Sequence, residues 1–158
     1  MAETLGSLVD KLTIKSIREF HIKKMLKNKN NKFSKKELRQ KLAVLRKQKK
    51  TLLKEVEIFI GHALSGKIVL QDEKIKLYND PRDIGKIGKV TTLASAIDGL
   101  CRKNMEIWDL EDEARRRDKP LAYIGGVKRK IDLANQKRND FIDKVDDLLK
   151  CKINRAKK

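Results

Sequence analysis

Apolar residues return every three or four positions in four stretches of the chain, the spacing of amphipathic helices. The first stretch, about 5–27, carries Leu5, Leu8, Val9, Leu12, Ile17 and Phe20 on one side. The second, about 35–64, carries Leu38, Leu42, Leu45, Leu52, Val56 and Phe59. The third, about 91–116, carries Leu93, Ile97, Leu100, Ile107, Trp108 and Leu110. The fourth, about 121–153, carries Val127, Ile131, Ala134, Phe141, Val145 and Leu148, with Gly125–Gly126 expected to break its first turn. "NKNNKFS" reads as a loop that ends on an N-cap, Ser34, with Glu37 three residues on. "SGKIVLQDEKIKLYNDPRDIGKIG" is turn-rich, and its "KIVL" and "IKLY" suit a short strand pair. The pattern predicts one all-α domain over 1–158. It has an antiparallel hairpin at 4–64, an ordered connector at 65–90 and a second hairpin at 91–153. The two hairpins pack as a four-helix bundle or as an elongated pair.

The halves match each other. A shift of 88 residues lays Leu5, Val9, Asp10 and Leu12 on Leu93, Ile97, Asp98 and Leu100. A shift of 89 lays Leu38, Leu42, Lys49 and Val56 on Val127, Ile131, Arg138 and Val145. Apolar matches between amphipathic helices come easily, so the polar ones weigh more. They point to a duplicated hairpin in which Asp10 pairs with Lys49 and Asp98 with Arg138 across the two seams. A cation on an apolar stripe needs such a partner or must reach water.

Charge changes the picture next. The chain has 158 residues, 39% of them apolar and 39% charged, and a net charge of +18. Residues 23–54 hold 14 Lys/Arg against one acid, Glu37. Lys36, Arg39, Arg46, Lys50 and Lys54 fall near one face of the second helix. A block like this attracts nucleic acid, acidic lipid, anionic glycan or an acidic protein surface, in a salt-sensitive way. It also serves a plain purpose, keeping a Lys-rich helix soluble. Only seven aromatics exist, so base stacking on single strands has little to work with. No zinc finger, basic zipper or RNA-binding signature is present. Cys101 and Cys151 lack a CxxC partner and read as reduced thiols. The N-terminus shows no secretory pattern and no stretch approaches a membrane span, so the expectation is a cytoplasmic protein. An oligomer is compatible with the pattern.

The C-terminal half, "IWDLEDEARR…VKRKIDLANQKRNDFIDKVDDL", resembles a family of bacterial helical proteins classed as a domain of unknown function. That family's motif falls here on Trp108, Leu110, Glu111, Asp112 and Arg115. It continues through Lys128, Arg129, Ile131, Asp132, Asn135, Gln136, Arg138, Asp140 and Asp146. Where the family has His after the Trp, this chain has Asp109, so any chemistry of that His is lost. "TLGSLVDKLTIKSIR" is similar to a second uncharacterised family through Gly6, Leu8, Asp10, Lys11, Thr13 and Ile14. That family opens with a Ser-x-x-Glu capping box; Thr4 and Ser7 stand there here, so the reciprocal cap is expected to be absent. Both families tend to occur beside glycosyltransferases of surface-polysaccharide pathways. The resemblance therefore implies a role in that context, as an accessory protein or an enzyme binding a sugar nucleotide.

The acidic run "EIWDLEDEARRRD" is the first candidate for chemistry. A di-iron centre needs Glu-x-x-His pairs, and neither His21 nor His62 follows a Glu by three. Three of its six acids instead precede an Arg by four: Glu111 precedes Arg115, Asp112 precedes Arg116 and Glu113 precedes Arg117. Neither a metal site nor a carboxylate acid–base pair is expected. Asn104, Glu111 and Arg115 continue the third helix's seam toward Asn135, Arg138 and Asp140 on the fourth. They form either a register-fixing polar network or, with Trp108, the floor of a pocket. Gly85, Lys86, Gly88 and Lys89 precede a helix N-terminus and make a candidate phosphate turn, although Val90 stands where a Walker loop has Ser or Thr. No nucleophile–base pair, catalytic residue or cofactor motif is recognisable. The leading expectation is a non-enzymatic basic helical module for a polyanion or an acidic protein.

Overall fold

A computed structural model describes residues 3–28, 32–68, 70 and 87–156. Four helices account for nearly all of them: α1 Leu5–Lys27, α2 Lys35–Leu64, α3 Leu93–Ala114 and α4 Leu121–Ala156. The fold is all-α, a four-helix bundle, with no strand among the described residues. The expected strand pair lies mostly outside those residues. No described helix is long and apolar enough to cross a membrane.

Each of the first three helices begins on a reciprocal cap. Glu37 closes the box on Ser34 for α2, as its spacing predicts. The cap expected to be missing from α1 is present. Thr4 N donates to Ser7 Oγ at 3.0 Å, and Ser7 N donates to Thr4 Oγ1 at 3.2 Å. A hydroxyl at the third position does the work of the usual carboxylate. Thr92 and Ser95 repeat this arrangement at the start of α3. Gly125–Gly126 does not interrupt α4, which runs through both. A glycine pair costs about 1–2 kcal/mol in a helix interior, a cost that 36 residues of packed helix absorb.

Helix α1 is the centre of the bundle. It packs against α2, α3 and α4, and α3 packs against α4. Leu5 and Leu8 meet Leu52, Phe59 and Ala63 of α2, Ala96 of α3, and Val145, Leu149 and Ile153 of α4 in one core. Two glycines permit the closest approaches. A Cβ on Gly6 would overlap the carbonyl oxygen of Ile142 and lie 2.9 Å from its carbon. A Cβ on Gly99 would run into the Phe141 ring. At Gly6 the approach also lets buried Asp146 accept from the Gly6 N–H at 2.7 Å. The carboxylate thereby satisfies a donor that a helix N-terminus leaves without an intrahelical partner. Phe20, expected in the core, is 63% exposed and lines a groove between α1 and α3.

Candidate functional site

Helix α2 buries Leu38, Leu42, Leu45, Leu52 and Phe59 and turns its cations outward. Lys36, Arg39, Arg46, Lys50 and Lys54 are all exposed. Their spacing puts them on one stripe that runs about 27 Å along the axis. Among the described residues, Lys36, Arg39, Lys50 and Lys54 have no ion pair, and Arg46 has only a loose one, 3.6 Å from Glu19.

Glu19 is a site residue that the sequence pattern did not single out. It is the only carboxylate between Asp10 and Glu37. It receives Lys23 at 2.7 Å within α1 and Lys49 at 3.2 Å from α2. Hydrogen bonds from Lys23 and then Lys49 hold its carboxyl down from 4.5 to about 2. The folded pKa lies below the unfolded one, so this contribution to stability is complete above about 4.5 and fades as pH falls through about 2. A urea midpoint followed over that window should fall less in Glu19→Gln than in the unaltered chain. An identical fall in both would remove Glu19 from the acid response.

The expected seam pairs are re-partnered. Lys49 goes to Glu19, not to Asp10. Asp10 is buried and engaged from α3 and α4 instead of from α2. Asp98 is exposed and pairs with Arg102 one turn along its own helix. Arg138 instead reaches across to α1, with Nε 3.7 Å from Asp10 Oδ1. The same Asp10 oxygen accepts from Asn104 Nδ2 at 2.8 Å. Asp10 and Asn104 are 7% and 5% exposed, so the buried polar seam joins α1, α3 and α4, not the two helices of each hairpin. The two aspartates diverge because α1 is enclosed by three helices, whereas α3 leaves one face to water.

Around this seam the structure gathers Asn104, Trp108, Glu111, Arg115 and Arg138, as the sequence suggested, and adds Arg18. Asn135 and Asp140 stay half-buried on α4 outside that group. Trp108 is half-buried rather than in the core. Its ring stacks on His21 of α1 at 4.6 Å and 20°.

The acidic run behaves as solvated charge in a changed pattern. Only Glu111 and Arg115 keep the four-residue pairing, at 3.5 Å. Because α3 ends at Ala114, Arg116 does not reach Asp112. It turns to Glu113 at 3.1 Å and Asp118 at 2.6 Å. Tyr123 Oη donates to Glu113 Oε1 at 2.6 Å, and this bond is the chief reason the Glu113 carboxyl is held low. No group of three or more His, Cys, Asp or Glu among the described residues is placed to hold a metal ion. Of the candidate phosphate turn, Gly85 and Lys86 lie outside the described residues. Gly88 takes a left-handed φ of 72° and Lys89 is exposed.

The model of one family, described as protein of unknown function (DUF4254), matches residues 1–71 and 94–158. It thus spans both regions that the sequence motifs assign to two families. No curated protein and no solved structure matches the chain.

Proposed function

Because the chain belongs to the DUF4254 family, whose description assigns no activity, we propose a function from its own surface. The protein is a non-enzymatic helical module that docks on a polyanion, such as nucleic acid or an anionic glycan, or on an acidic protein, through α2. One observation carries this reading: the exposed cations of α2 form a stripe opposite the core, and four of the five, Lys36, Arg39, Lys50 and Lys54, have no ion pair among the described residues. Cations left unpaired on a rigid helix release counterions when a phosphate or sulfate chain meets them. A solvated helix could carry scattered lysines as well, but salt dependence of binding separates the two roles. Duplex DNA, RNA and an anionic glycan tested side by side should include at least one ligand that binds at low salt. With about five contacts, its affinity should fall roughly 500-fold between about 50 and 200 mM salt. Absence of salt-dependent binding to all three would contradict the proposal.

The same proposal includes a cytoplasmic location and a duplicated hairpin. The Thr-x-x-Ser caps at Thr4 and Thr92 support the duplication, since they stand 88 residues apart, the shift that also aligns Asp10 with Asp98. The alternative is the role implied by the resemblance, in surface-polysaccharide assembly on a sugar nucleotide. Its support is the cleft beside Trp108, and it requires binding or turnover there.

A further inference from the structure

We infer that the cleft where α1, α3 and α4 meet is a binding site for a small phosphate ester. The site is separate from the α2 stripe and does not depend on the polyanion reading. The cleft has a volume of about 320 Å³. That sits at the small end of ligand pockets and is far too small for a polymer.

Three helices each send one arginine to it: Arg18 from α1, Arg115 from α3 and Arg138 from α4. Glu111 is the only carboxylate in its wall. Trp108 and Arg138, which both line the cleft, each hold a buried nitrogen, Nε1 and Nε, without a hydrogen-bond partner among the described residues. A buried N–H without an acceptor costs about 1–3 kcal/mol, so two such groups on residues lining one cleft favour an acceptor brought close to them.

The surroundings explain why the protein does not supply it. Asp10 Oδ1 is engaged by Asn104 at 2.8 Å, and Arg138 Nε lies 3.7 Å away, beyond hydrogen-bond range. Asp10 therefore steers the guanidinium electrostatically and leaves its Nε–H unmade. Arg115 is steadied by Asp112 at 3.1 Å. Arg18 is exposed and has no ion pair among the described residues.

Donors that converge from three helices suit a tetrahedral oxyanion with several acceptor oxygens better than a flat carboxylate with two. Asp10, Glu111 and Asp112 balance the charge of the three arginines, which favours one phosphate group over a run of them. Ile14, Ile17 and Ile107 make the remaining wall apolar, so the ligand carries an organic group beside its phosphate.

Trp108 is the only tryptophan and lines the cleft, so its emission responds to a ligand bound there. Phenyl phosphate is the probe, with phenol and inorganic phosphate as comparators, read by Trp108 emission and by calorimetry. Phenyl phosphate should bind saturably and more tightly than either comparator. Arg18→Gln leaves the fold alone, because Arg18 is exposed and unpaired, and should weaken binding about tenfold or more. Lys50→Gln/Lys54→Gln should leave it unchanged, which keeps this site distinct from the α2 stripe. The inference is overturned if phenyl phosphate does not saturate at millimolar concentration. It is equally overturned if phenol binds as well, or if Arg18→Gln binds like the unaltered chain.

Discussion

A Gly6→Ala chain should be less stable than the unaltered one by roughly 3 kcal/mol, whereas the same change in an open helix stabilises by about 0.5–1 kcal/mol. The reversal of sign makes the result diagnostic. Gly6 lies inside α1, where alanine would ordinarily be the better helix former. A methyl group there meets the backbone carbonyl of Ile142, which has no rotamer to change and is itself fixed in α4. Relief requires α1 and α4 to separate. Separation stretches the 2.7 Å bond from Gly6 N to buried Asp146 and opens the Leu5, Leu8 and Val145 packing beside it. Gly99→Ala should cost less despite an equally close clash, because its obstacle is the edge of the Phe141 ring, and a side chain can give way. Urea midpoints for the two variants should rank Gly6→Ala below Gly99→Ala, with both below the unaltered chain. A stabilised Gly6→Ala chain would mean that α1 and α4 are not in backbone contact.

Asp10→Ala should cost about 2–4 kcal/mol, and its coupling to Arg138 should be measurable while that of Asp98 should not. Removing Asp10 strands the Asn104 amide, which is buried, and takes the nearest counter-charge from Arg138. The upper limit for breaking a fully buried pair is about 5 kcal/mol, and Arg138 keeps 27% of its side chain exposed, which lowers the expected loss. A double-mutant cycle between Asp10→Ala and Arg138→Gln should give about 1 kcal/mol of coupling or more. The matching cycle for Asp98→Ala and Arg138→Gln should give none, since Asp98 faces water and pairs with Arg102. Coupling to Asp98 in place of Asp10 would restore the two-seam arrangement that the sequence symmetry proposes.

Helix spans were legible because they depend on local signals. Leucine spacing, the Ser34–Glu37 box and the Asn-rich loop each act within a few residues, and α1 and α2 start and stop where those signals say. The seam was legible only in its cast. Asp10, Asn104 and Arg138 stood out as polar residues on apolar stripes, and all three are in it. Their pairing was misread because a repeat invites the assumption of equivalent environments. Enclosure of α1 by three helices is a property of the packed bundle and leaves no mark at Asp10 that distinguishes it from Asp98. Arg18 and Glu19 were passed over for a similar reason. Each is one more charge on a charged helix until a neighbouring helix gives it a partner or a cleft. The Thr4–Ser7 cap was missed for a different one, since a serine hydroxyl at that position accepts the bond that a longer Glu usually takes.

Polyanion docking rests on the α2 stripe, and the slope of log K against log salt tests it. For duplex DNA each phosphate contact contributes about −0.9 to that slope, so five contacts give roughly −4.5. Replacing Lys36, Lys50 and Lys54 together with glutamine should flatten it to about −1.8 while the helix content stays unchanged, because all three side chains are exposed and unpaired. A triple variant that binds with the unaltered slope would place the polyanion contact elsewhere and contradict the role assigned to α2.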